Sequence, residues 1–217
     1  MEDVIFIRTN KNIIMKALLN TVVMAMLLGQ AHNSYGDLSR YVDKYTTISI
    51  SHDQLQDLSH YSHFITYFSR IPFFRPRHRV SPDFIKALIL AESNCNQYAV
   101  SSDNALGLGQ ILYSTGREAA RDIYNSGRTF KYINRKDLKA LHRDDLFNPA
   151  INILLTCYLI SKYNYKFNGK LELVVSAWNA GENVGSLQFG LPAPYSETYN
   201  LIGKINGYYV SLLKLRR

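Results

Sequence analysis

Cysteine is scarce in this sequence. The 217 residues hold two, Cys95 and Cys157, and they lack the spacing of a metal site, so no metal is expected. So few thiols cannot staple a fold together, and stability has to come from a packed core. A hydrophobic share of 47 % suffices for that core and excludes a disordered chain. In an oxidising compartment Cys95 and Cys157 either form one disulfide or remain two buried thiols, and both states are open. Long apolar runs are missing too. The stretch Ala17–Leu28 is interrupted by Asn20 and Thr21, and it falls short of the ~20 apolar residues that span a bilayer. Acidic residues are in deficit, 17 against 25 Lys and Arg, for a net charge of +8. Strand signals are weak, with Tyr98–Val100 too short to assign, and no internal repeat or low-complexity tract is present.

The N-terminal 31 residues have the pattern of a cleaved signal peptide. Lys11 and Lys16 precede the apolar stretch, and Gly29-Gln30-Ala31 offers small residues where a signal peptidase reads. Met15-Lys16 is a more natural start than Met1, which Glu2 and Asp3 follow. No Cys lies near the cleavage site, which argues against a lipid anchor, and the expected location is periplasmic or secreted. The excess positive charge suits a polyanion. Export argues against nucleic acid, and no nucleic-acid-binding motif is present.

Residues 32–80 read as an accessory segment. Ser51-His52-Asp53-Gln54 is a capping box that opens a helix bearing Leu55, Leu58, Phe64, Ile65 and Phe68. Pro72 and Pro76 end the pattern, and Arg70, Arg75, Arg77 and Arg79 make the connector basic. Residues 81–213 read as one mostly helical domain. Ser81-Pro82 starts a helix with an N-cap and a first-turn proline. Thr115-Gly116-Arg117-Glu118 is a further capping box, and Asn148-Pro149 opens another helix. Leu171, Val174, Val175 and Trp178 repeat at helical spacing, and a last helix covers Glu197 to Leu213.

The helix from Pro82 carries the most informative residue. Ile85, Leu88, Ile89 and Glu92 follow one stripe, so a carboxyl lies on the face turned to the core. It also lies near the helix C-terminus, where the macrodipole disfavours negative charge. Both effects raise its pKa, as a general acid working near neutral pH requires. Burial against a basic partner would explain the position equally well. Downstream, Ser101–Gln110 is a loop in which Gly107 and Gly109 permit close backbone approach to a ligand. The only Trp stands in Ala177-Trp178-Asn179-Ala180-Gly181, with Gly181 as a C-cap. Aromatic faces and amides are what a sugar-binding groove needs, although a Trp is more commonly core.

Four motifs stand in order: Glu92-Ser93, Ala105–Gln110, Ala177–Gly181 and Glu197-Thr198. With them the chain resembles, over about residues 80–210, the catalytic domain of the soluble lytic transglycosylase family, related to goose-type lysozyme. Ala99-Val100-Ser101 and Gly116-Arg117-Glu118 also resemble its smaller membrane-bound members. The resemblance implies a mostly α, lysozyme-like (α+β) single catalytic domain with a short helical N-terminal segment. It implies Glu92 as the catalyst, and Ser101, Gly107, Gln110, Trp178, Asn179 and Tyr199 as substrate-binding residues. It implies no cofactor. Departures are visible. Gly109 replaces a Met that walls the groove, and Trp178 replaces a Tyr whose hydroxyl could orient the carboxyl. Cys95 replaces an aromatic residue and Asn104 a Gly. Leu201 stands at a Tyr position for which Tyr199 or Tyr195 could compensate.

The expected substrate is the glycan strand of peptidoglycan, cut between N-acetylmuramic acid and N-acetylglucosamine to leave 1,6-anhydromuramic ends. Hydrolytic glycosidases use two carboxyl groups. Asp103, Glu118, Glu182 and Glu197 are the other candidates near the motifs, and none shares an apolar face as Glu92 does. Candidate partners are a secretion, pilus or conjugation apparatus. The rival reading is a non-catalytic peptidoglycan-binding or adaptor protein.

Overall fold

The computed structural model describes residues 38–76 and 79–216. The proposed signal peptide at 1–31, and Arg77 of the basic connector, lie outside the described residues. The elements that build the site lie in one compact unit, Tyr41–Arg217.

Helix α1 (His52–Ser69) starts at the expected capping box. Ser51 Oγ accepts from the Gln54 N–H at 3.1 Å, and Gln54 Oε1 accepts from the Ser51 N–H at 3.0 Å. Helix α2 (Pro82–Ser93) begins at Ser81, whose hydroxyl accepts from the Phe84 N–H. It ends at Asn94 in the left-handed conformation, φ 50°. Its residues Phe84, Ile85 and Ala87 to Ala91 are all buried, because it is packed between α1 and the last helix, α8 (Ser196–Lys214). A helix apolar on most of its surface is a core helix, so anything it carries at its end is delivered from the interior outward. α1 packs on α2 and on α5 (Pro149–Lys166). The segment set apart on sequence as accessory thus contributes one helix to the core it shares with the residues after 81.

Between α2 and α5 lie a short antiparallel hairpin, β1 (Ala105–Leu106) with β2 (Ile111–Leu112), and two helices, α3 (Tyr113–Asn125) and α4 (Arg135–Lys139). A 3-10 turn at Arg143–Phe147 follows. Val100 bridges to Leu106 beside the hairpin. The Thr115–Glu118 box does not open α3, which begins two residues earlier at Tyr113 without a side-chain cap, because β2 runs directly into it. Helix α6 (Leu171–Ala180) ends at Gly181 and packs on α5 and α8, and the short α7 (Gly185–Gln188) completes the set. The hairpin apart, the unit is helical, as a mostly α lysozyme-like fold requires.

The loop containing Gly107 and Gly109 is held by α5. Asn152, 1 % exposed, donates from Nδ2 to the carbonyls of Leu106 (3.0 Å) and Leu146 (2.8 Å), and its Oδ1 accepts from the Gly109 N–H at 2.8 Å. A Cβ on Gly107 would meet the Leu146 carbonyl at 2.3 Å, and one on Gly109 would meet Thr156 Oγ1 at 2.3 Å. Gly107 therefore admits the 3-10 turn and Asn152, and Gly109 admits helix α5, which corrects the expectation that they admit a ligand. Asn152→Ala would leave one buried donor and two buried acceptors short of a partner. A loss of about 2–4 kcal/mol is expected in denaturant unfolding, and a loss below ~0.5 kcal/mol would contradict the anchoring role.

Candidate active site

Five segments converge on one groove of about 370 Å³. The end of α2 supplies Glu92, the loop before β1 supplies Ser101 to Asp103, and the turn before β2 supplies Gln110. The end of α6 supplies Trp178 and Asn179, and the start of α8 supplies Glu197, with Tyr195 just ahead of it. Thr115, Leu159 and Tyr163 line the inner wall. Helix ends make this groove because a core helix can reach a surface only where it stops.

Glu92 lies half-buried at the meeting point. The indole N–H of Trp178 donates to its Oε1 at 2.6 Å. The expectation that replacing Tyr by Trp removes the group that orients the carboxyl is thus corrected: the indole supplies the donor itself. Next to Glu92, the Ser93 hydroxyl donates to the Leu108 carbonyl at 2.8 Å and so ties α2 to the Gly-containing loop. Burial pushes the Glu92 pKa up from 4.5 to about 7. The Trp178 hydrogen bond and the positive charge of Lys204 oppose the rise, and the negative charge of Glu197 adds to it. A carboxyl in this state holds a proton near neutral pH and can both give it and take it back.

The other predicted residues divide. Ser101 lines the groove, and its hydroxyl accepts from the Ala105 N–H at 3.1 Å, which closes the loop. Gln110, at a left-handed φ of 51°, spends its Nε2 on the carbonyls of Ala99 (3.1 Å) and Gly107 (2.9 Å). Its carbonyl end is what it can offer to the groove it lines. Asn179 lines the groove while its Oδ1 accepts from the Thr198 hydroxyl at 2.5 Å, joining the third and fourth motifs. Gly107 is not in the lining, for the reason given above. Tyr199 is not there either: it is 5 % exposed and packs against Tyr41, ring centroids 6.0 Å apart. Tyr195, 51 % exposed, lines the groove in its place. Tyr195 stands ahead of α8 in extended backbone, φ −111° and ψ 133°, whereas Tyr199 lies inside the first turn, so their spacing of four does not bring both to one face.

Cys95 and Cys157 are two separate buried thiols, so the disulfide does not form. Burial pushes the Cys95 thiol up to about 12 and that of Cys157 higher still, which keeps both protonated. Sequence reading passed over Asn152 and Tyr163. The signal for Asn152 was the same as for Glu92, a polar side chain inside the apolar run Ile151–Leu155.

A family model for the transglycosylase SLT domain matches residues 75–189. The chain belongs to that family. A curated protein of Haemophilus influenzae named "Putative soluble lytic murein transglycosylase" is 34 % identical over 104 residues, which is 48 % of this chain and 15 % of that protein. This chain therefore spans a small part of that relative's length. Two solved structures share the fold. One is the lytic transglycosylase Slt of Pseudomonas aeruginosa, with TM-score 0.51 and 23 % identity over 63 % of this chain and 22 % of that one. The other is the 70 kDa soluble lytic transglycosylase of Escherichia coli, with TM-score 0.56 and 16 % identity over 84 % and 34 %. The SLT match ends before α8; Glu197 of that helix was expected from the fourth motif, and Lys204 is brought near Glu92 by the fold.

Holding Glu92 protonated has a thermodynamic signature. The folded state binds a proton there up to about pH 7, whereas the unfolded chain releases it near 4.5. Wild-type stability therefore falls as pH rises through that window. Glu92→Gln removes the penalty. The variant should match wild type at pH 4 and exceed it by roughly 2–3 kcal/mol at pH 8, after discounting for the carboxyl's partial exposure. Parallel stability curves from denaturant titrations at the two pH values would contradict the raised pKa.

Proposed function

We propose that this SLT-family chain is a lytic transglycosylase that cleaves the β-1,4 bond between N-acetylmuramic acid and N-acetylglucosamine in peptidoglycan and leaves 1,6-anhydromuramic ends. The observation that carries the reading is one carboxyl raised to about 7 at the floor of an open groove, held by an indole donor at 2.6 Å.

The chemistry needs one such group. Protonated Glu92 gives its proton to the oxygen of the scissile bond, which leaves with N-acetylglucosamine as positive charge develops at C1 of the muramic sugar. The Glu92 carboxylate then takes the proton from that sugar's own 6-hydroxyl. Its oxygen closes on C1, so one C–O bond breaks, one forms, and the proton returns to Glu92. No water is consumed. Trp178 serves both halves: its N–H fixes the orientation of the carboxyl and stabilises the transient carboxylate. Its ring lines the groove and offers a sugar a flat apolar surface. Glu197 and Asp103 also border the groove. Glu197 is exposed at the start of α8 and enters the proposal only through its field on Glu92.

On this reading the protein works in the periplasm or after secretion, in agreement with the signal-peptide pattern of residues 1–31, and its positive charge favours a polymer bearing carboxylates. The uses open to it are wall remodelling in growth, or opening the wall for a secretion, pilus or conjugation apparatus.

Residues 32–217 and their Glu92→Gln variant should be incubated with purified sacculi and the released fragments identified by mass. Wild type should release anhydro-muropeptides. The Gln variant keeps the shape but has no proton to transfer, and its rate should fall by at least ~10²–10⁴-fold. A variant within tenfold of wild type would overturn Glu92 as the catalyst. Release of nothing by either, with both retained on sacculi, would favour the binding-protein reading.

A further inference from the structure

Helix α2 ends at Glu92-Ser93 with no basic residue in its own last turn. The last carbonyls of a helix carry partial negative charge and favour a cation. Here α8 provides one. The Lys204 ammonium donates to the carbonyl of Ala91, the residue before Glu92, at 2.7 Å. Among the described residues it enters no ion pair, so its charge is not cancelled locally. We propose that Lys204 is a positioning residue for Glu92, pinning the last turn of α2 and setting with its charge the pH at which Glu92 exchanges its proton. The proposal rests on the lytic transglycosylase reading and adds to it a residue on α8, beyond the stretch that matches the SLT model.

The titratable and polar groups that act on the carboxyl or share its groove come from several elements. The Trp178 N–H comes from α6, Glu197 and Lys204 from α8, Asp103 from the loop before β1, Tyr163 from α5, and Tyr195 from ahead of α8. Two of these exert opposite fields on it: Glu197 favours the protonated form and Lys204 the carboxylate. A group that must be acid in one step and base in the next works best when neither form is locked. Lys204 counters burial far enough for the carboxylate to exist, while its place behind Ala91 leaves the groove side of Glu92 to the substrate.

The test uses the sole Trp. Its indole N–H is bonded to Glu92, so the single indole resonance of the ¹⁵N-labelled protein should follow the protonation of Glu92, and Glu92→Gln should abolish the titration. Wild type should titrate near about pH 7. Lys204→Gln, an uncharged donor, should move the midpoint up by roughly one unit. Lys204→Arg, a charged donor, should keep it near the wild-type value. The alkaline limb of anhydro-muropeptide release should move with it. A folded Lys204→Gln protein with an unmoved midpoint, or a Lys204→Arg midpoint displaced like that of the Gln variant, would overturn the role of the charge. Moved midpoints in a protein that releases no anhydro fragments would instead overturn the enzymatic reading, and with it any use of that charge in catalysis.

Discussion

The hydrogen bond from Trp178 to Glu92 is the contact around which the rest of this structure is arranged. A carboxyl on the apolar stripe of a buried helix is costly to ionise, and a lone buried charge would be worse. One N–H donor and one cation behind the helix hold the cost at the level where proton loss and gain both lie near neutral pH. To bring donor and carboxyl together, α2 and α6 must stop at the same place, and both do so by left-handed or glycine stops, Asn94 at φ 50° and Gly181 at φ 90°. The groove is the space left where these two helices end.

A second constraint acts from below. The loop that forms one wall of the groove passes so close to α5 that two of its positions admit no side chain, and Asn152 satisfies the backbone groups this approach would otherwise strand. The wall is rigid because it is anchored on a core helix, and a rigid wall is what lets Gln110 keep a strained φ of 51° while lining the groove. Departures from the family pattern look milder in this setting. Gly109 faces Thr156, and Trp178 contributes through nitrogen what was expected of a tyrosine hydroxyl.

Much of this was legible in the residues themselves. Ser51, Ser81 and Asn148 are capping residues whose effect is local, and the helices begin where they stand. Glu92 was visible because a charged residue interrupts an apolar period. Apart from the Thr115–Glu118 box, the misreadings concern the surroundings that the fold supplies. The glycines of the loop read as ligand contacts because a close approach signals itself in sequence without naming what approaches. Tyr199 and Tyr195 could not be separated until the entry angle of α8 was known. Cys95 and Cys157 are both buried, yet burial in one core does not make two thiols neighbours. Lys204 gave no signal at all, since a lysine on an amphipathic helix is ordinarily a solvated one.

The central claim is that the substrate's own hydroxyl, and not water, completes the reaction at a single carboxyl. Digestion of sacculi in ¹⁸O-labelled water tests it most directly. The account predicts muramic ends at the anhydro mass with no ¹⁸O incorporated at C1. Reducing muramic ends carrying one ¹⁸O would contradict it, and would make this groove the site of a hydrolase in which a second group, with Glu197 first in line, activates water.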